Sequence, residues 1–265
     1  METTELTSQR IKAYLDEGKR FDGRKPTEFR EIIIETGVSA NAEGSAKVKI
    51  GNTEVLVGVK MDKAEPYADS PDEGNIMVSA ELLPISSPRY ELGPPSYTAV
   101  ELGRIIDKSI RESKAIDLKK LCIKEGEKVW TLCVDIYSIN DDGNLLDAAG
   151  IGAVAAIKNA RMLKYDEENK KVLYEEITDK KIPLKGEFPL SLTIHKIGNH
   201  FLVDPTKEEE DLSETRITFG IKDGSICSVQ KANSASMTLE DFEKSLDMAD
   251  KVSKEISKKI EKHLK

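Results

Sequence analysis

Residues 44–61, with the sequence GSAKVKIGNTEVLVGVKM, contain the pattern that decides the fold. Apolar side chains alternate with polar ones before and after the dipeptide Gly51-Asn52: Ala46, Val48, Ile50, Val55, Val57, Val59 and Met61. A period of two is typical of β-strands, and a two-residue turn with glycine first permits the positive φ of a tight hairpin. The stretch therefore predicts two strands joined by a two-residue turn.

The segments on either side predict a mixed fold. An outer N-terminal helix is predicted to end near Gly18, and Ile32-Ile33-Ile34 predicts a further strand. The elements predicted after the hairpin are, in chain order, a strand at 75–83, a helix at 98–113, a strand at 128–140, a small-residue helix at 145–161, strands at 190–194, 201–203, 216–221 and 225–231, and a last helix that starts at a capping box of Thr238 and Asp241. This order favours an α+β protein of two similar halves over a doubly wound sheet.

The division into halves rests on one charged segment. The chain has 265 residues, which suits two small domains or one large one. Residues 164–181 are rich in charge and are predicted to connect the halves. We therefore expect an N-terminal helix and arm at residues 1–29, a first half at 30–163 and a second half at 164–265.

Composition excludes several classes of protein. The net charge of −8, with 33% charged and 38% hydrophobic residues and a mean hydropathy of −0.43, is typical of a soluble globular chain. No stretch approaches the roughly 18 apolar residues of a membrane span, and residues 1–20 lack the apolar core of a signal peptide. A cytoplasmic protein without a membrane contact is expected. The acidic balance argues against nonspecific coating of nucleic acid but leaves room for a local basic site.

One face of the helix predicted at 98–113 is basic. At 100° per residue, its apolar residues fall on one side, whereas Arg104, Lys108 and Arg111 gather on the other. Such a face is either simply solvated or a track for successive phosphates of a single nucleic-acid strand. Sequence periodicity leaves both interpretations open.

The turn that precedes the small-residue helix is a generic place for an anion. The segment Asp141-Asp-Gly-Asn-Leu-Leu-Asp147 joins a strand to a helix N-terminus, where phosphate can bind. Its three carboxylates repel an anion and instead suit helix capping. A structural role is therefore favoured for this turn.

Metal, redox and triad chemistry lack a suitable pattern. His195, His200 and His263 have no partners at a familiar spacing for catalysis or metal binding, and no pair of cysteines has C-x2-C spacing. Cys122, Cys133 and Cys227 are therefore predicted to be ordinary buried thiols. The acidic run 208–211 is either a solvated loop or a set of Mg²⁺ ligands, with the solvated loop favoured. No cofactor, metal or catalytic residue is assigned.

The loop at 84–95 contains several prolines and a glycine, which exclude regular structure. Long ordered loops often carry function, although a covering flap is an equal alternative. Arg89 lies in this loop and is a weaker candidate for nucleic-acid contact.

Taken together, the motifs resemble the RNase PH family over nearly the whole chain. They are Arg20-Phe-Asp-Gly-Arg24, Glu28-Phe-Arg30, Glu43-Gly-Ser-Ala46, Gly51-Asn-Thr53, Val57-Gly-Val59 and Pro84-Ile-Ser-Ser-Pro88. Within the family, 126–130 and 141–147 are most similar to the non-catalytic RNase PH-like subunit of the archaeal exosome core.

The resemblance implies an RNase PH-like fold (ribosomal protein S5 domain 2-like) with two β-α-β-α halves packed together. It also implies a catalytic RNase PH-like partner, a ring of three such heterodimers, RNA-binding cap subunits, and 3′ to 5′ phosphorolytic degradation of single-stranded RNA. In such a pair the active site lies near the subunit interface, so an inactive chain can supply positive charge without doing chemistry. The resemblance thus favours Arg104, Lys108 and Arg111 as RNA-binding residues, with Arg104 first.

Three departures from the family pattern weigh against catalysis by this chain. The resemblance implies an Arg pair where this chain has Tyr97 and Thr98. It implies a Gly-Thr-Arg turn for phosphate where the chain reads Gly143-Asn144-Leu145, and a carboxylate where the chain has Arg216.

Two alternatives to a non-catalytic, RNA-positioning subunit stay open at this point. One is a self-sufficient phosphorolytic exoribonuclease that uses Glu210 or Asp211 in place of the missing carboxylate. The other is a pure scaffold without RNA contact.

Overall fold

A computed structural model describes residues 3–263. Its elements are α1 (Glu5–Asp16), β1 (Ile32–Thr36), β2 (Gly44–Ile50), β3 (Thr53–Ala64), β4 (Asn75–Leu82), α2 (Tyr97–Glu112), a 3-10 helix (Leu118–Leu121), β5 (Cys122–Lys124), β6 (Lys128–Asn140), α3 (Leu145–Asn159), β7 (Arg161–Asp166), β8 (Lys171–Lys181), β9 (Leu190–Ile197), β10 (His200–Val203), α4 (Lys207–Asp211), β11 (Thr215–Lys222), β12 (Ser225–Ala232) and α5 (Leu239–Glu261).

The first sheet contains the predicted hairpin. Its strand order is β1-β2-β3-β6-β4, with β5 beside β6. Strands β2 and β3 pair antiparallel with Ile50 opposite Thr53, and Gly51 has φ +58°, so the two-residue turn is confirmed. Strand β4 runs parallel to β6, because α2 lies between them in the chain and supplies the crossover that a parallel pair needs.

The second sheet is antiparallel, with the order β10-β9-β11-β12. Helix α3 lies between the two sheets and is buried on all sides from Leu145 to Ile157. A methyl group on Gly150 would lie 2.9 Å from Ser191 Cβ, and one on Gly152 would lie 2.7 Å from Val57 Cγ2. The small residues are therefore needed because α3 packs closely against both sheets. The sequence predicted close packing against one sheet only.

Two peripheral elements complete the fold. Helix α1 packs through Ile11 and Leu15 against Ile197 and Leu202 of the second sheet, which confirms the outer N-terminal helix. The charged segment predicted as a connector lies within the antiparallel hairpin β7–β8, whose register shifts near Leu163. The boundary predicted after residue 163 falls within β7, and the division into three regions stays a prediction.

The α+β fold class is thus confirmed, with α2 and α3 on the first sheet and α5 against the second. Within residues 3–263, no helix is both long and apolar enough to cross a membrane.

Candidate functional site

Helix α2 separates the core from an open groove. Ser96 caps its N-terminus by accepting a hydrogen bond from Ala99 N at 3.2 Å. Apolar residues on one side are buried, as the angular spacing predicted: Leu102, Ile105, Ile106 and Ile110. The opposite side faces a groove of about 540 Å³, here named the α2 groove, whose lining includes Tyr97, Val100, Arg104, Lys108 and Gln230.

Ion pairs decide the charge of the α2 groove. Glu101 is paired with Arg216 of β11, with Nη2 2.5 Å from Oε2, and Asp107 is paired with Arg111 at 2.9 Å. Among residues 3–263, Arg104 and Lys108 are exposed and have no ion-pair partner. The groove therefore presents two cations that form no ion pair with a carboxylate of the described residues.

Arg111 lies on the same side of α2 but differs from the other two predicted residues. Its Nη2 donates to Ile76 O and to Asp107 Oδ1, both at 2.9 Å, and its Nε donates to Asp107 Oδ2 at 3.3 Å. The guanidinium is therefore fixed against β4. It retains less capacity for an external phosphate than Arg104 or Lys108.

The turn before α3 already contains carboxylates where an anion would bind. Gly143 and Asn144 have φ values of +84° and +62°, so the backbone amides turn toward the start of the helix. Asn144 N donates to Glu210 Oε1 at 3.3 Å, and Gly143 N donates to Asp141 Oδ1 at 3.2 Å. The side chain of Leu145 is buried and offers no group that could bind phosphate.

The acidic run at 208–211 corrects a sequence prediction, because it is not a solvated loop. It belongs to α4, which begins with a capping box of Thr206 and Glu209. Glu209 is buried and accepts hydrogen bonds from Arg20 Nε at 2.9 Å and Arg20 Nη2 at 2.5 Å. The T-x-x-E spacing of the capping box is visible in the sequence and could have indicated this helix.

Glu210 and Asp211, the carboxylates of the alternative catalytic hypothesis, both have cationic partners. Lys207 Nζ lies 2.8 Å from Glu210 and 2.7 Å from Asp141. Burial by itself lowers the pKa of Lys207, but these carboxylates raise it above its ordinary value. Asp211 accepts two hydrogen bonds from Arg89, at 2.6 and 2.7 Å. Although burial opposes the effect, the hydrogen bonds from Arg89 and Thr3 lower the pKa of Asp211.

Asp204 is the centre of a charge cluster that sequence reasoning missed. Its fully buried carboxylate accepts hydrogen bonds from Arg24 Nη1 at 2.6 Å, from Arg30 N, Nε and Nη2 at 2.8, 3.0 and 2.7 Å, and from Asn144 Nδ2 at 2.9 Å. Burial by itself raises the pKa of Asp204, but Arg30 and Arg24 hold it below its ordinary value. This carboxylate thus ties the N-terminal arm, the second half and the start of α3 together.

Two further titratable groups lie in the buried seam between α3 and the second sheet. Asp147 accepts a hydrogen bond from Thr193 Oγ1 at 2.8 Å, and burial raises its pKa to about 8. His195 Nδ1 lies 3.1 Å from Ser213 Oγ, and burial with the nearby Arg216 charge lowers its pKa to about 3. Both side chains are closed to solvent, and both are neutral at pH 7. Asp147 is accordingly not a helix cap, in contrast to the sequence prediction.

The remaining candidates have simple environments. Within residues 3–263, no three His, Cys, Asp or Glu side chains come together as a metal site. His200 Nε2 lies 2.8 Å from Asp16 Oδ1. The three cysteines are half-buried rather than fully buried, and burial raises the pKa of each thiol.

Comparisons with known proteins give a consistent result. Models of the 3′ exoribonuclease family match residues 28–162 (RNase PH domain 1) and 187–252 (domain 2). The chain is 44% identical over 246 residues to a curated relative from Methanothermobacter thermautotrophicus named Exosome complex component Rrp42, with 92% of this chain and 90% of the relative covered.

Two solved structures are also similar. One is the Archaeoglobus fulgidus exosome with RNA bound to the active site, with a TM-score of 0.88 and 40% identity over 96% of this chain and 98% of that chain. The other is an archaeal exosome core, with a TM-score of 0.84 and 38% identity over 97% of both chains.

Proposed function

The chain belongs to the RNase PH family of 3′ exoribonucleases, and we propose that it acts there as a non-catalytic subunit. In this proposal it joins a cytoplasmic complex of the archaeal exosome type and pairs with a catalytic RNase PH-like paralogue. Three such pairs form a ring that also binds RNA-binding cap subunits. The chain structures the partner's active site and holds single-stranded RNA, and the partner carries out 3′ to 5′ phosphorolysis.

The observation that carries the non-catalytic role is the closed turn before α3. Its amides donate to Glu210 and Asp141 of the same chain, and the buried Leu145 follows them. An attacking phosphate would have to displace these carboxylates while meeting their repulsion, which no cation of the turn offsets fully. Activation of phosphate is therefore assigned to the partner.

RNA holding is supported by the charges of the α2 groove. Arg104 and Lys108 lie one turn apart and are exposed. Groups at this spacing can meet successive phosphates of one strand, and such contacts position the strand without reading its sequence. Arg111 extends the proposed track toward the end of α2, with part of its charge already offset by Asp107.

Pairing with a partner is supported by exposed apolar side chains in the segment that follows the edge strand β4. Ile85 and Leu92 of the proline-rich loop are 78% and 88% exposed, and Tyr97 at the start of α2 is 83% exposed. Large apolar side chains gathered in one segment of a surface are typical of protein interfaces. We assign this surface to the catalytic paralogue.

The experiment that tests the proposal is RNA degradation with and without inorganic phosphate, by the chain alone and after mixing with the catalytic paralogue. Particle size is measured in each case. Phosphate-dependent degradation only in the mixture, together with growth to a ring-sized particle, is the expected result. Degradation by the chain alone would contradict it and would return Glu210 and Asp211 as catalytic groups.

The RNA-holding part has its own test in the assembled complex. Replacing Arg104 and Lys108 together with alanine removes two charges, so the salt slope of RNA affinity falls by about 1.4 and affinity at low salt falls about tenfold. The matched control replaces Lys258 and Lys259, two exposed lysines of α5 outside the groove lining, and leaves RNA affinity unchanged. Unchanged affinity in the groove variant would leave only a scaffold role.

A further inference from the structure

Arg216 joins the second half of the chain to the wall of the α2 groove. It projects from β11, and its Nη2 lies 2.5 Å from Glu101 Oε2 of α2. Both side chains are only 15% exposed, so water screens the pair weakly. The Nε of Arg216 is buried and has no hydrogen-bond partner within residues 3–263. The guanidinium is thus held mainly by Glu101.

This pair determines whether the α2 groove has a net positive charge. Arg104 and Lys108 contribute two positive charges, and Glu112 contributes one negative charge that has no ion-pair partner in the described part of the chain. With Glu101 neutralised by Arg216, the net charge of the groove is +1. An uncompensated Glu101, three residues before Arg104, would bring the balance to zero.

We propose that Arg216 is a positioning residue for RNA, which acts by masking the charge of Glu101 and not by touching the strand. This inference rests on the proposed RNA-holding function of the groove. Arg216 is largely covered and already paired, so its effect on a phosphate passes through Glu101. A carboxylate at position 216 would instead place a second negative charge against Glu101 and bring the charge balance of the groove to −1.

The test measures binding of single-stranded RNA to the assembled complex without inorganic phosphate, so that the strand stays intact. R216M uncovers Glu101 and weakens binding about fivefold at low salt, and the loss shrinks as salt rises. E101Q removes the carboxylate but keeps the cation, so RNA binds about twofold to threefold more tightly. The double variant R216M/E101Q restores the affinity of the unmodified complex, and R216K keeps most of it.

Each other outcome has a distinct meaning. If R216M and E101Q both bind RNA more weakly and the double variant does not recover, the ion pair only stabilises the fold. That result would overturn the masking role. Unchanged binding by R216M would also overturn it, whereas the proposed function would stand if the Arg104 and Lys108 variant still lost affinity. Thermal unfolding and particle size check that each variant folds and assembles. If R216M fails that check, E101Q decides alone, because equal or weaker binding contradicts masking.

Discussion

Replacing Asp204 with asparagine tests whether one carboxylate holds the two halves and the N-terminal arm together. The substitution keeps the shape but removes the charge that faces Arg24 and Arg30, whose side chains are 10% and 11% exposed. Arg24 keeps Asp22 and Arg30 keeps Asp142 as more exposed partners. The expected loss therefore lies at the low end of the range for a broken buried ion pair, about 3 kcal/mol. At an m-value of about 2 to 3 kcal/mol/M in urea, the unfolding midpoint falls by about 1 to 1.5 M.

The stabilisation by Asp204 depends on pH in a direction that its lowered pKa determines. The folded pKa of Asp204 lies below the ordinary value of 3.8, so its stabilisation is present above the unfolded pKa and is lost as pH falls through the folded pKa. The difference in free energy of unfolding between the natural chain and D204N is therefore constant between about pH 5 and 7 and shrinks below about pH 4.

The assay is urea unfolding followed by circular dichroism at several pH values. The control is D179N, because Asp179 pairs with Arg161 while fully exposed, and this substitution leaves the midpoint unchanged. A difference below about 1 kcal/mol for D204N at neutral pH would refute the reasoning, since a surface substitution can produce that much. A stability difference between the natural chain and D204N that stays undiminished at about pH 3 would also refute it.

Two further outcomes follow from the closed turn and from α3. Inorganic phosphate leaves the thermal unfolding temperature of the isolated chain unchanged relative to chloride at equal ionic strength, because Glu210 and Asp141 accept hydrogen bonds from the amides of Asn144 and Gly143 just before α3. A phosphate-specific rise would show an open anion site. G152A lowers the free energy of unfolding by about 1 to 3 kcal/mol through overpacking, since the added methyl would lie 2.7 Å from Val57 Cγ2. The control G58A has its nearest neighbour at 3.9 Å and costs far less, and equal losses in the two variants would contradict the packing argument.

Local patterns were sufficient to predict the elements that position the candidate site. The alternation around Gly51-Asn52 is a property of neighbouring residues, and the structure has that hairpin with the predicted two-residue turn. The same holds for α2, where helical spacing alone separates buried Leu102 and Ile106 from exposed Arg104 and Lys108. Such predictions succeed because burial acts on side chains one turn or two residues apart.

The electrostatic part of the site depends on pairs that no local pattern encodes. Asp204 meets Arg30 across 174 positions of sequence, and Arg216 meets Glu101 across 115. In the acidic run at 208–211, the capping box was readable locally, but the burial of Glu209 was not, because Arg20, which neutralises it, is 189 positions away. Counting charges along the chain predicts solvation or repulsion, whereas the fold decides which charges are cancelled.

The charge balances of the two anion-facing regions explain how one chain can hold RNA without activating phosphate. At the turn before α3, Asp141 and Glu210 share Lys207, and Arg30 divides its charge between Asp142 and Asp204, so the carboxylates outnumber the cations. The α2 groove has the opposite balance, because internal pairs cancel Glu101 and Asp107. A polyanionic strand is therefore drawn to α2, while a free phosphate gains nothing at the turn. In the proposed function, binding and chemistry are thus separated by which carboxylates have partners, and the catalytic paralogue supplies the phosphate site.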